Sequence, residues 1–223
     1  GSLLSTTTEI DAQVIRGLVT NERLSQYLSL RAMELETRGR DILKVYVMES
    51  TENLRAPFTI YNTLARQVVL PVGEYKFTEY GLDIETGAQR TLSAKFNFKG
   101  GDFYDGDRLN VGGEISWKPI RYFNLLAGYD WNRIDLPYGK FITRLSRLTA
   151  EVAVTSNLNW INIVQYDDVS EVFGIHSRVQ WIPRAGREFY LVFNRSFEDF
   201  NKDGTFRSVT SEMTAKATYT FRF

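Results

Sequence analysis

The chain contains no cysteine in 223 residues. That absence removes zinc–thiolate centres, thiol nucleophiles and disulfides, and with them the small disulfide-stapled secreted class. There is one histidine, and Lys+Arg and Asp+Glu balance at 27 each. Without net positive charge the electrostatic footprint of a nucleic-acid binder is missing, so no nucleic-acid partner is expected. No stretch approaches the ~20 consecutive apolar residues of a membrane-crossing helix. No signal-peptide pattern is recognisable, and Gly1-Ser2 reads as a cloning remnant, so a mature or truncated chain is expected.

What the sequence does have is a two-residue period. The ending sets Met213, Ala215, Ala217, Tyr219, Phe221 and Phe223 against Thr214, Lys216, Thr218, Thr220 and Arg222. Leu92, Ala94, Phe96 and Phe98 oppose Ser93, Lys95, Asn97 and Lys99. Leu148, Ala150, Val152 and Val154 oppose Arg147, Thr149 and Glu151. Such alternation marks strands with two different faces. Turn signals such as "TRGRD", "YDGD", "PRAG" and "NKDG" separate the runs. The pattern predicts about twelve strands, at 7–19, 24–36, 41–54, 73–86, 88–100, 107–119, 121–134, 140–155, 158–168, 173–183, 187–198 and 210–223.

A soluble sandwich also alternates, but three features favour a transmembrane antiparallel up-and-down β-barrel. The runs are roughly 11–15 residues long, where soluble strands usually have 5–6 and membrane-spanning ones about 9–11. Their polar faces carry Lys, Arg, Asp and Glu, which suits a hydrated interior. Connections alternate in length, "RGR", "TGA", "KPI", "SNL" and "RAG" being short and those between them, residues 55–72 above all, generally longer. Aromatics gather toward strand ends: Trp117, Phe123, Trp160, Trp181 and Phe189 on the short-turn side, Tyr129, Trp131, Phe141 and Phe197 on the other. That is the girdle pattern of a barrel in a bilayer.

Few residues carry chemistry. His176 lacks an adjacent orienter and nucleophile, because Ser177 points to the opposite face of a strand; no enzyme is expected. Asp199, Asn201 and Asp203 have the spacing of a calcium loop's first half, but Thr210 stands where the bidentate Glu belongs. Turn formation explains them as well, so neither metal nor cofactor is expected. "GGDFYDGDR" reads as a hairpin turn with an aromatic plug, not a phosphate loop. Residues 55–72 are the first candidate for control of access, since so long a connection is seldom idle. Candidate pore-lining residues are Lys95, Lys99, Glu114, Lys118, Asp130, Arg147, Glu151, Arg178 and Lys216. Lys44, Asp83 and Glu85 are also placed inward. Whether these charges pair and fill the lumen or stand apart across it is open at this stage.

The motifs "APF" (56–58), "LPVGEY" (70–75), "GGDFYDGD" (100–107), "IDLPYGKF" (134–141), "VQYDD" (164–168), "RVQWIPRAG" (178–186), "LVFNRSF" (191–197) and "YTFRF" (219–223) carry a resemblance over most of residues 40–223. In them the chain resembles the C-terminal barrel region of a Gram-negative outer-membrane protein family. Its members carry an N-terminal domain similar to family-9 carbohydrate-binding modules. His176 departs from the pattern, where a small polar residue such as Asn is expected. The resemblance implies a barrel but no particular activity, and the sugar-binding-like domain has no counterpart in these residues. Tyr219, Phe221 and Phe223 resemble the terminal signal that such barrels present to the outer-membrane assembly machinery.

The expectation is one domain over residues 1–223, a barrel in a bacterial outer membrane with the lipid bilayer and the assembly machinery as partners. Its leading function is a pore for small hydrophilic solutes. The alternatives are a non-conducting anchor for a periplasmic carbohydrate-binding domain and a soluble all-β binding module.

Overall fold

Each alternating run becomes a strand in the computed structural model, which describes residues 2–19, 21–63, 65–199 and 204–220. In chain order the strands are β1 (Leu3–Arg16), β2 (Arg23–Thr37), β3 (Ile42–Leu54), β4 (Phe58–Asn62), β5 (Gln67–Leu70), β6 (Gly73–Glu85) and β7 (Leu92–Phe103). Then come β8 (Gly106–Ile120), β9 (Phe123–Leu136), β10 (Gly139–Thr155), β11 (Leu158–Asp167), β12 (Val172–Arg184), β13 (Arg187–Glu198) and β14 (Arg207–Tyr219). Twelve of them form one antiparallel sheet in the order β1-β2-β3-β6-β7-β8-β9-β10-β11-β12-β13-β14, and β4-β5 is a separate hairpin.

The twelve expected segments correspond one to one with the strands of the large sheet. The first lies earlier than expected, because a turn closes where Asn21 N–H donates to the Gly17 carbonyl at 2.9 Å. The β4–β5 hairpin, inside the long connection 55–72, was not foreseen as strands. The contrast in turn length is weaker than expected: residues 104–105 and 137–138 are two-residue turns on the side expected to be long. Tyr104 adopts φ 51° there, which a turn this tight requires of one of its residues.

The sheet has two edges. Its order begins at β1 and ends at β14, so closure into a barrel is not part of the fold described. All fourteen residues of β1 are exposed, and β14 is exposed throughout.

Two compact units share the sheet: Gly1–Ala88, Ala94–Gly113 and Asp130–Thr143 form the first, and Gln89–Ser93, Glu114–Tyr129 and Arg144–Phe223 the second. The first unit holds the dry core, built from Val68 and Leu70 of β5 with Ile134, Leu136 and Phe141. Leu54, Ile60, Tyr61, Phe103 and Tyr104 pack around it. Each large side chain so buried stabilises the hairpin by about 1.5–3 kcal/mol relative to exposure. Thr63 and Arg66 close the hairpin turn through paired backbone bonds of 2.9 and 3.3 Å. Arg66 donates a side-chain bond onward to the Lys140 carbonyl. The connection 55–72 is thus anchored and ordered along most of its length.

Candidate functional site

Strand β6 shows how the first unit distributes polarity. Tyr75, Phe77, Glu79 and Gly81 are buried, and Asp83 and Glu85 are partly covered, whereas Tyr80 and Ile84 of the other parity are 60% and 43% exposed. A soluble sheet would cover its isoleucine and expose its carboxylates. Here the polar face is the covered one along the second half of the strand.

Register builds that face into rows of charge. Glu34 pairs with Lys44, Lys44 with Asp83, and Asp83 with Asn97, so signs alternate from strand to strand. In the next row Glu85 is opposite Lys95, and their charged groups lie 3.6 Å apart. A register shift between Arg31 and Met33 places Arg31 and Glu34 together, and they form an ion pair at 3.0 Å. Arg31 also meets Glu9 at 2.6 Å. Opposite-charge cross-strand pairs of this kind contribute about 0.2–1 kcal/mol each.

Glu79 is the most enclosed charge, with 1% side-chain exposure; Lys99 lies 3.2 Å from its carboxylate. Arg108 donates to the other carboxylate oxygen, and its guanidinium sits 4.3 Å over the Phe103 ring. Asn97 donates to Asn110 at 2.9 Å, and Asn110 to the Trp131 carbonyl at 3.3 Å. A Cβ at Gly112 would stand 2.3 Å from an Asp130 oxygen and 2.5 Å from Asn97, so glycine is what allows those side chains to converge.

Aromatic rings fill the adjoining level. Tyr104 contacts Tyr75, Phe77 and Phe103 at centroid distances of 5.2, 5.3 and 4.8 Å. Its hydroxyl donates to Glu52 at 2.7 Å, and burial first, then that bond, holds the phenol well above the usual tyrosine range. From the β9–β10 turn Tyr138 donates to Asp105 at 2.6 Å, a bond that pushes the Tyr138 phenol up to about 12. The "GGDFYDGD" turn is therefore held by aromatic contacts and phenol–carboxylate bonds.

In the second unit the same inversion recurs. Ser116 donates to Asn124 at 2.8 Å, and Asn124 donates to Glu151 at 3.0 Å. Lys118, Asn124, Glu151 and Asn159 line a groove of about 460 Å³. His176 shares a 2.6 Å hydrogen bond with Asn194, and its register neighbours are Ile163 and Asn194. Ser177 belongs to the other face, where it accepts from Trp160 Nε1 at 2.9 Å and donates to Asn162 at 2.8 Å. Trp117, Trp160, Trp181, Phe189 and Tyr129 are all exposed. Phe141, expected among the interfacial aromatics, is instead 7% exposed in the hairpin core, because β4–β5 covers it.

Of the residues singled out from sequence, Lys95 and Lys99 have carboxylate partners, Asp130 faces Asn97 over Gly112, and Lys118 and Glu151 share one groove. The rest are spread along the sheet. Arg147 is opposite Gln165, Arg178 opposite Ile161 and Val192, and Lys216 opposite Tyr190; Glu114 is half-buried on β8. Glu79 and Arg108 were missed. The signal was present, since Glu79 has the parity of Asp83 and Glu85, and Arg108 that of Asn110 and Glu114. Asp199 accepts a hydrogen bond from the Gly204 amide at 2.8 Å; Asn201 and Asp203 lie outside the described residues, as do Phe221 and Phe223. Among the described residues no group of three or more His, Asp or Glu could hold a metal, and no helix is long and apolar enough to cross a membrane. No family model matches the chain, and no curated protein matches it.

Proposed function

We propose that this chain is the wall of a β-barrel in a bacterial outer membrane, delivered there by the barrel assembly machinery and serving as a narrow pore for small hydrophilic solutes. The observation that carries the reading is the inverted polarity of the sheet. Glu79, Asp83, Lys99 and Arg108 are covered, while Tyr80, Ile84, Ile115, Trp117, Leu148, Trp160 and Leu191 are exposed. Water makes that distribution costly, whereas hydrocarbon outside and a hydrated interior make it favourable. The twelve strands, an even number, also suit a single-chain bacterial barrel. The resemblance to the outer-membrane family points the same way.

In this reading the β4–β5 hairpin and the Tyr104 ring cluster restrict the passage. Conductance of the folded protein in a planar bilayer tests it. Small unitary currents are expected, rising when residues 55–72 are replaced by a short turn. No current from either folded protein would sink the pore.

A second reading, the non-conducting anchor of a periplasmic carbohydrate-binding domain, has its own support. The Glu79–Lys99–Arg108 cluster and the four packed rings fill the covered face of the first unit. Silence in the bilayer together with stable membrane insertion favours it.

A further inference from the structure

The turn between β12 and β13 carries charge that no ion pair among the described residues neutralises. Arg184 and Arg187 are direct cross-strand partners, an arrangement of like charges that is destabilising by itself. Neither makes an ion pair among the described residues; Arg187 donates to the Tyr219 hydroxyl at 3.0 Å and lies 4.8 Å over its ring.

The register explains how both arginines reach one face. Trp181 pairs with Phe189, but a shift before Arg184 removes one step from the count. Arg184 therefore lies on the same face as Trp181, three residues away, where strict alternation would put it on the other. Pro183, which cannot donate to a ladder, sits at the irregularity. Arg187, Phe189 and Leu191 already share that face by parity, as do Tyr219, Ala217 and Ala215 on β14.

Directly along the face from the two arginines lies an apolar groove of about 560 Å³ lined by Leu158, Val179, Trp181, Phe189, Leu191 and Ala215 among others. Trp181 and Phe189 stack at 5.4 Å to form one wall, and the small side chains Ala215 and Ala217 leave its floor low. Two cations without a carboxylate partner among the described residues, at the end of an open apolar channel, match an amphiphile with an anionic head. We infer that this site holds one anionic phospholipid of the bilayer, its phosphate between Arg184 and Arg187 and an acyl chain along the groove. Tyr219 holds the Arg187 side chain in place through hydrogen bond and ring. The inference rests on the membrane reading above.

The test is vesicle flotation followed by native mass spectrometry of the detergent-folded protein titrated with phosphatidylglycerol or phosphatidylcholine. The protein is expected to float with vesicles of either lipid. One phosphatidylglycerol should be retained in preference, by about fivefold per arginine and roughly 25-fold for the pair. R184Q/R187Q should lose the preference, and Ala215→Phe, which keeps both charges but fills the groove, should lose the bound lipid. Equal retention of the two lipids, displacement by inorganic phosphate alone, or retention unchanged in both variants would overturn the site while leaving the membrane reading standing. Failure to float with either vesicle would overturn both.

Discussion

Glu79 on β6 and Arg108 on β8 are joined across an intervening strand. The residue of β7 opposite Glu79 is Gly101, so no side chain stands between them, and Lys99 completes the contact at 3.2 Å. A carboxylate with 1% exposure is thus shared by two cations. It ties three neighbouring strands together where the backbone ladder ties only two at a time.

Glu79→Gln should destabilise the protein by about 1–3 kcal/mol, because it leaves two partly covered cations without their counter-charge. Denaturant unfolding measures this. Replacing Glu79 and Arg108 together by methionine should cost less than either single change, and strictly additive costs would show that the pair is not energetically coupled.

Gly81→Ala should cost about 1–3 kcal/mol through overpacking, since a Cβ there would stand 2.0 Å from the Tyr46 ring. Trimming that ring with Tyr46→Ala in the same chain should return part of the loss. If Gly81→Ala alone unfolds at the wild-type midpoint, the ring does not occupy that space.

Leu70→Ala should cost about 2–5 kcal/mol, because Leu70 is fully enclosed in the core between the hairpin and the ends of β9 and β10. Hydrogen exchange should then accelerate in β4 and β5 before it does in β3 or β6. Uniform acceleration over all four would mean that the hairpin is not a separate cooperative element.

The Tyr138 phenol, held at about 12 by Asp105, ionises later in the folded chain than in the unfolded one, where tyrosine titrates near ~10. Its contribution to stability is therefore fully present below about pH 10 and is lost as the pH rises through about 12. Ultraviolet phenolate titration should show a late-ionising phase to which Tyr104 also contributes, and which loses one tyrosine's amplitude in Tyr138→Phe and has the same amplitude moved earlier in Asp105→Asn. An unchanged late phase in both would assign it to another residue.

The strands of the large sheet were legible because alternation is a local property that each segment displays by itself. The hairpin was not, because "FTIYN" and "QVVL" are too short to show a period; Val68 and Leu70 become core only through Ile134, Leu136 and Phe141, some seventy residues away. Parity puts Lys99 on the same face as Lys95, where it is only partly exposed, but its role as a partner of Glu79 depends on register. Register in turn depends on irregularities such as the one between Arg31 and Met33, which parity counting cannot see. Glu79 itself was hidden by the rings of Tyr75 and Phe77 at the same parity, which made the start of β6 resemble an ordinary apolar face.

Register irregularities beside arginine, such as those at Arg31–Met33 and Trp181–Arg184, mark places where a single-residue deletion is absorbed, whereas in a regular stretch an insertion or deletion has an effect unlike that of any substitution. Removing Ile182 would take out the extra residue and leave Arg184 on its present face by plain alternation with Trp181. Adding one residue between Arg187 and Phe189, where the strand is regular, would leave every charged residue in the chain yet transfer Arg187 to the opposite side of the sheet from Phe189. Composition, net charge and hydropathy profile would scarcely register the change. Homologues differing by such a gap could therefore have unlike surface electrostatics at near-identical sequence, and sorting them calls for counting residues between fixed points rather than comparing the residues themselves.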